Sequence, residues 1–353
     1  MNNPNFLIDL KGKDFWEKNT TPIWMASSFF VKRNLSSYHF PLKMRVSDSE
    51  KTLSILKHAL IESPQLEAPI FFKMEELKAW EREYVLEHFL APSNSQNLSC
   101  HSGMIIDQSG NFLAIINAED HLVLHAIDSH FDWQQTWEKL SAIEIALSQK
   151  HAFAYSHKFG YLTSDISHSG TGLTAQAFLH IPALIHLHQI DEVLSKALHE
   201  EVKVLDLTNQ NNFIGDIAII QNRFTLGLTE DHILEGVHKS AYKLMNLEKE
   251  LRLELSKNPQ GLIVDKVSRA IGLLMHSYQI ETKEALAALS FIKLGLDLNW
   301  VSGLSDQEMN ALFLEIRRAH LTVFSDENIS KDQLPYTRAA FLQKVLKPIR
   351  MTL

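Results

Sequence analysis

Residues 160–184 read GYLTSDISHSGTGLTAQAFLHIPAL. A polar loop, a Gly-Thr-Gly turn (Gly170, Thr171, Gly172) and an apolar run follow one another within this stretch. Glycines set before an apolar element are one way in which folds bring backbone N–H groups up to an anion. From residue 170 to 201 the run GTGLTAQAFLHIPALIHLHQIDEVLSKALHEE predicts a long helix with a small polar first turn, kinked or broken at Pro182.

Outward from this stretch, strand-like and helix-like patterns alternate. Residues 23–31 are apolar and aromatic, a buried strand. An amphipathic helix starts at Ser47 or Asp48 and places Leu53, Leu56, Leu60 and Ile61 on one face. A second helix spans residues 74–90, near Pro92. Residues 103–107 and 111–117 flank the turn Gln108-Ser109-Gly110 and read as a hairpin. A helix over 133–148 and an extended segment over 153–162 lead into the opening stretch. The last strands are 201–207 and 214–221, after which Thr229 caps a helix whose stripe holds Ile233, Leu234, Val237, Ala241, Leu244 and Leu251. From about residue 258 only helices are predicted: 264–280, 282–296, 305–324 with a Ser305/Glu308 capping box, and 334–346. A short helix over 13–18 is expected near the N-terminus.

With 45% hydrophobic and 22% charged residues over 353 positions, the chain reads as a soluble globular protein of one large and one smaller domain, or two medium ones. A net charge of −8 argues against a nucleic-acid surface. Cys100 is the sole cysteine, so neither an intrachain disulfide nor a cysteine-based zinc site can form, which suits a reducing cytosol. The first residues lack the pattern of a secretory signal, and no apolar run approaches the roughly 20 residues of a membrane span. The expectation is therefore a cytoplasmic protein that binds neither membrane nor nucleic acid. Eighteen histidines are scattered, and the closest pair, His186 and His188, would point to different faces of a helix; no metal site is expected.

Several motifs, in order, resemble those of the phosphagen (guanidino) kinases, most closely their bacterial protein-arginine kinase branch. In the family pattern SSRxRxxRNLxxxxFP, Arg33, Asn34, Leu35, Phe40 and Pro41 match, whereas Ser28 and Phe30 stand where two arginines grip nucleotide phosphates. EREYVLEHFL (81–90) resembles a helix carrying a nucleotide-contacting histidine; Phe89 takes its place, and His88, one residue and about 100° away, is expected on the exposed side. NAEDHLVL (117–124) resembles NEEDHLRI. Glu119 matches the glutamate that orients the substrate guanidinium, a task suited to a carboxylate that accepts two parallel N–H bonds, while Val123 replaces a phosphate-binding arginine. The opening stretch resembles GYLTSCPTNxGTGLRAS, with Asp165 for its reactive cysteine and Thr174 for its arginine. In the RGxxGE loop the resemblance places Val204 at the arginine and Asn209 at the second catalytic glutamate; a shift of one would bring Lys203 to the arginine position. LPYTRAAFL (334–342) keeps Arg338 and Ala339 of a phosphoarginine-binding RDxxRA element, and Arg338 is expected on the surface.

The resemblance implies an α+β fold: an antiparallel β-sheet flanked by helices, as in guanidino kinases and glutamine synthetase, over residues 23–255. An N-terminal segment, 1–22, precedes it, and an all-α dimerisation domain, 258–353, follows. An arginine contact to phosphate is worth roughly 1.5–3 kcal/mol, so the five changed positions Ser28, Phe30, Val123, Thr174 and Val204 would weaken nucleotide binding severely. The expected function is that of a degenerate kinase homologue, a pseudokinase acting by binding or regulation with no cofactor. Its expected partners are a second copy of itself, a zinc-binding adaptor protein or an arginine-bearing client. The alternative is an active ATP-dependent protein-arginine kinase that uses Mg-ATP, with a phosphate site rebuilt from Lys32, Arg33 and Lys203.

Overall fold

The computed structural model describes residues 21–91, 101–197, 199–207, 212–324 and 329–353. The expected 13–18 helix and Asn209 lie outside the described residues. Strands β1 (Trp24–Arg33), β2 (Ile70–Lys73), β3 (Gly103–Ile106), β4 (Phe112–Ile116), β5 (Leu122–Asp128), β8 (Leu173–His180), β9 (Val202–Leu205) and β10 (Ile217–Asn222) form one sheet in the order β2-β3-β4-β5-β1-β8-β10-β9. The pairs β1–β5, β2–β3, β3–β4 and β4–β5 are antiparallel. Contacts divide the described chain into two units: Ser27–Gln176 with Asn222–Gly236, and Ala177–Gln221 with Val237–Leu353 and residues 21–26.

Strand β1, whose residues from Ser27 onward belong to the first unit, is buried along nearly its whole length, which explains its near-continuous apolar sequence. Helices α1 (Val46–Ile61), α2 (Ala79–His88) and α3 (Trp133–Lys150) accompany the strands. Asp132 starts α3 by accepting the Gln135 N–H at 3.3 Å. The expected 74–90 helix is shorter than the sequence suggests. Residues 70–73 form β2, Met74–Glu76 a single 3₁₀ turn, and the α-helix starts only where Glu81 reaches back to the Lys78 N–H at 2.6 Å. Residues 153–162 fold into a small hairpin, β6 (Tyr155–Ser156) against β7 (Gly160–Tyr161).

The largest departure is the expected long helix from residue 170. Leu173–His180 is a strand, β8, with seven of its eight residues buried. Burial on both faces overrides the helix preference of its Ala, Gln and Leu residues. Helix α4 (Pro182–His186) then starts with its proline in the first turn, and His188, at φ +57°, separates it from α5 (Ile190–Ala197).

The second unit explains that break. The Glu248 carboxylate accepts the N–H groups of Ala183 and Leu184 at 3.0 and 2.8 Å, satisfying donors that α4 leaves free at its start. Glu248 sits on the long helix α6 (Glu230–Lys257) and also accepts from Arg252 Nε at 2.8 Å. Arg252 continues to the His180 carbonyl at 2.8 Å and to Asp297 at 3.0 Å. His180 Nε2 meets Ser290 Oγ at 2.8 Å, and Ser290 donates to Asp216. His186 Nε2 lies 3.1 Å from the same Asp216 carboxylate, a role inside this network.

The rest of this unit is helical: α7 (Gly261–His276), α8 (Thr282–Asp297), α9 (Asp306–Glu315), α10 (Arg318–Phe324) and α11 (Leu334–Val345). One two-residue pair, β11 (Val301–Ser302) with β12 (Arg350–Met351), interrupts the pattern. The Ser305/Glu308 capping box forms as the sequence predicts. The expected surface position of Arg338 is overturned. It is 2% exposed and donates to the carbonyls of Ile316 and Ile280 at 2.7 and 2.8 Å, satisfying the end of α9.

Lys293 on α8 is fully buried; its Nζ lies 3.6 Å from Asp306 Oδ1 and makes no hydrogen bond. Burial lowers its pKa to about 8 from 10.5, with Asp306 opposing the shift. The unfolded chain thus binds the proton more tightly, so this lysine destabilises the fold fully below pH 8 and the effect fades between pH 8 and 10.5. Lys293→Met should raise unfolding stability at pH 7 by about 2 kcal/mol in urea titrations, and the gain should shrink above pH 8.

Candidate functional site

Pairing of β1 with β5 sets Phe30 opposite His125 and Lys32 opposite Val123. Ser28 Oγ lies 2.8 Å from His125 Nε2, and the Phe30 ring stacks on the imidazole with centroids 3.8 Å apart. Phe89, fully buried at the end of α2, packs at 5.6 Å from the same imidazole. Four side chains thus close over one another where the resemblance expects nucleotide contacts. His88 departs from expectation: it is 3% exposed, and its Nε2 is 2.9 Å from the Gly110 carbonyl. Burial, helped by His88, lowers the His125 pKa to about 3, so the imidazole is neutral. Val123 and Thr174 are half-buried on β5 and β8. Val204 is half-buried on β9 in the second unit.

The glycine turn serves the strand beside it. Lys32 N–H donates to the Gly172 carbonyl at 3.1 Å, and Arg33 donates to the Thr171 carbonyl at 2.8 Å. A Cβ on Gly172, whose φ is +65°, would stand 2.8 Å from the Arg33 guanidinium and the Lys32 carbonyl. Arg33 itself is buried. Its Nε pairs with Glu144 at 2.7 Å, its guanidinium lies 3.6 Å from the Tyr161 ring centre, and Glu230 is 3.7 Å away.

The NAED segment builds a second, polar corner. Asp120 is fully buried; one oxygen accepts Asn34 at 2.6 Å and the Ser164 N–H at 2.7 Å, and the other has no partner. Asn34 also accepts the His121 N–H at 2.9 Å, and His121 Nδ1 accepts the Leu35 N–H at 3.0 Å. These bonds interlock the RNL and EDH motifs, a structural reason for the two to occur together. Glu119 stays outside this lock, its side chain 47% exposed, and pairs with Lys32 Nζ at 3.2 Å. Asp165 caps the short turn Ile166–His168 through the Ser167 N–H at 2.9 Å, a bond that lowers its pKa. Burial, then Lys32, lowers the His168 pKa. Glu119 is thus the carboxylate that meets the Lys32 ammonium, while Asp120 and Asp165 are spent on neighbouring backbone N–H groups.

Sequence reasoning brought Ser28, Phe30, Phe89 and Glu119 to attention but missed His125 and the pairing role of Lys32. His125 lies two residues beyond Val123, so strand periodicity was the available signal. Among the described residues no group of three His, Cys, Asp or Glu is arranged to hold a metal ion, and no helix is long and apolar enough to cross a membrane.

The chain matches two family models, ATP:guanido phosphotransferase, C-terminal catalytic domain, over residues 52–251, and Protein-arginine kinase McsB C-terminal domain, over 260–352. It is 34% identical over 355 residues to a protein-arginine kinase of Chlamydia pneumoniae, covering 98% of this chain and 97% of the relative. A protein-arginine kinase of Chlamydia muridarum is 32% identical over 308 residues, 86% of each. Among solved structures, the duplicated taurocyamine kinase of Schistosoma mansoni superposes with a TM-score of 0.58 at 23% identity, covering 70% of this chain and 36% of that one. A lombricine kinase gives 0.56 at 15%, covering 67% and 70%. At these identities the structures speak for the fold. The first family match starts at residue 52, beyond Ser28 and Phe30.

A neutral buried His125 makes stability depend on acid. Its folded pKa lies below its unfolded 6.5, so stability is full above pH 6.5 and is lost as pH falls toward 3. His121, His180 and His238 shift the same way. In denaturant titrations between pH 6 and 4, His125→Phe should flatten the slope of stability against pH by about one proton, or ~1.4 kcal/mol per pH unit. An unchanged slope would refute the buried neutral imidazole.

Proposed function

Because the chain belongs to the ATP:guanido phosphotransferase family, we propose that it is a protein-arginine kinase homologue that works by binding rather than by ATP-dependent phosphoryl transfer. The observation that carries this reading is the Ser28–His125–Phe30 cluster. Where the resemblance expects arginines on a triphosphate, a hydroxyl is spent on a neutral imidazole and an aromatic ring covers it. A nucleotide with several negative charges needs cations there, and in-line transfer adds a metal and aligned carboxylates. The residues present do not fit that group. Glu119 alone can hold a guanidinium, and its carboxylate is paired with Lys32.

On this reading the partners are proteins: a second copy through the helical C-terminal region, a zinc-binding adaptor, or an arginine-bearing client. The reading places the protein in the cytoplasm and assigns it no cofactor. A second reading, an active protein-arginine kinase on Mg-ATP, draws support from Glu119 and from the names of the relatives. It needs Lys32, Arg33 and Lys203 on the phosphates. Arg33 is sealed against Glu144 and Tyr161, and Lys32 is bound to Glu119.

Thermal unfolding with and without Mg-ATP separates the two, because a ligand that binds only the folded state stabilises it. The binding reading expects an unchanged melting temperature and no phosphate transferred from ATP to an arginine-rich protein. A rise of several degrees with saturating Mg-ATP, or labelled phosphoarginine, would establish the kinase instead.

A further inference from the structure

Lys32, Lys51, Lys73, Lys139 and Lys293 each stand against a carboxylate. Lys266, on α7, meets an imidazole instead: its Nζ lies 3.3 Å from His186 Nδ1. A lysine ammonium has only donors to offer, so Nδ1 is the unprotonated nitrogen and accepts. His186 Nε2 then carries the ring proton and donates it to Asp216, 3.1 Å from Oδ1 and 3.2 Å from Oδ2. Carboxylate, imidazole and amine thus stand in line, and all three belong to the second unit.

Each member of the line is held in place. Asp216 sits in a tight turn where it and Phe213 take left-handed φ values of +53° and +38°. Residues other than glycine rarely adopt that backbone, and such strain gathers where a side chain has to be aimed. The Asp216 N–H donates to the Phe213 carbonyl at 2.7 Å, its own carbonyl accepts the Ile181 N–H at 2.9 Å, and Ser290 Oγ donates to its carboxylate. His186 ends α4 and stacks on Phe291 of α8, with ring centres 4.6 Å apart. Lys266 reaches the same ring, its Nζ 5.5 Å from the centre. Both His186 and Lys266 are half-buried, so a small molecule can reach the amine.

A base oriented by a carboxylate and hydrogen-bonded to an amine is the arrangement that turns a lysine into a nucleophile. Asp216 fixes the tautomer that leaves Nδ1 able to take a proton, and a positioned base of this kind is worth about 10²–10⁴-fold in rate. We infer that Lys266 is a site of acylation by small acyl phosphates. His186 Nδ1 takes one proton from the ammonium, and the freed amine attacks the acyl carbon. The C–N bond forms, the C–O bond to phosphate breaks, and the phosphate leaves with that electron pair. The second amine proton departs with it as hydrogen phosphate, and His186 passes the first to water. Because the leaving group takes up a proton of the amine itself, a base is the one protein group that the reaction needs. The site lies away from Ser28, Phe30 and Glu119, goes beyond the proposed function and stands whether or not the protein transfers phosphate from ATP.

Incubation of the full chain with acetyl phosphate, followed by mass spectrometry of its peptides, gives the acetylation rate at each lysine. Lys266 should react at least about tenfold faster than the exposed Lys283 and Lys344. His186→Gln can still donate to Asp216 and accept from Lys266 but cannot take up a proton. It should bring Lys266 down to the rate of the two exposed lysines, while their rates, which report on the fold, stay as they were. A Lys266 rate no higher than theirs, or a fast rate that survives His186→Gln in folded protein, overturns the proposal. The comparison within the unsubstituted chain needs no variant and decides by itself if His186→Gln does not fold.

Discussion

A guanidinium sealed inside the first unit must be neutralised and hydrogen-bonded on every side, because an uncompensated buried charge costs several kcal/mol. Arg33 meets that demand with the Glu144 carboxylate, the carbonyls of Lys32 and Thr171, and the Tyr161 ring. Each partner comes from a different place in the chain: helix α3, strand β1 itself, the glycine turn and the β6–β7 hairpin. Satisfying one side chain therefore fixes four pieces of backbone. Gly172 follows from it, since any side chain there would displace the guanidinium. The Gly-Thr-Gly turn that looks like an anion loop in sequence is shaped by a cation that belongs to the protein.

The same economy of charge runs through the remaining motif positions. Asn34, Asp120 and His121 close a lock between two loops, and Glu119 beside them meets Lys32. On β1 and β5 the pattern turns neutral, with Ser28, Phe30 and His125 sharing one buried cluster. Arg33, Asn34, Asp120 and His121, the motif residues with buried hydrogen-bond partners, tie β1 to the loops beside it.

How much of this could be read from the chain varies with the range of the interaction. Motif order and spacing led to the antiparallel sheet, and local patterns found β1, the β3–β4 hairpin, α1, α3 and the Ser305 capping box, because those signals lie within a few residues of one another. β8 was misread as helix. An apolar run buried on both faces carries no period to distinguish strand from helix, and its neighbours in the sheet decide. His88 and Arg338 look like surface residues because their partners, the carbonyls of Gly110, Ile316 and Ile280, have no sequence signature at all. The Lys32–Glu119 pair spans 87 positions, and Lys32 stands at a place that no motif marks.

The Glu248 clamp on α4 bears on the order in which the chain can be completed. Ala183 and its carboxylate partner are 65 residues apart. At a synthesis rate of about 5–20 residues per second, the start of α4 leaves the ribosome some 3–13 s before the group that caps it. During that interval a five-residue helix has no external partner for its first N–H groups, and so short a helix is not stable alone. The end of β8 and the turn after it are then a segment waiting for α6, open to chaperones and proteases until the long helix arrives.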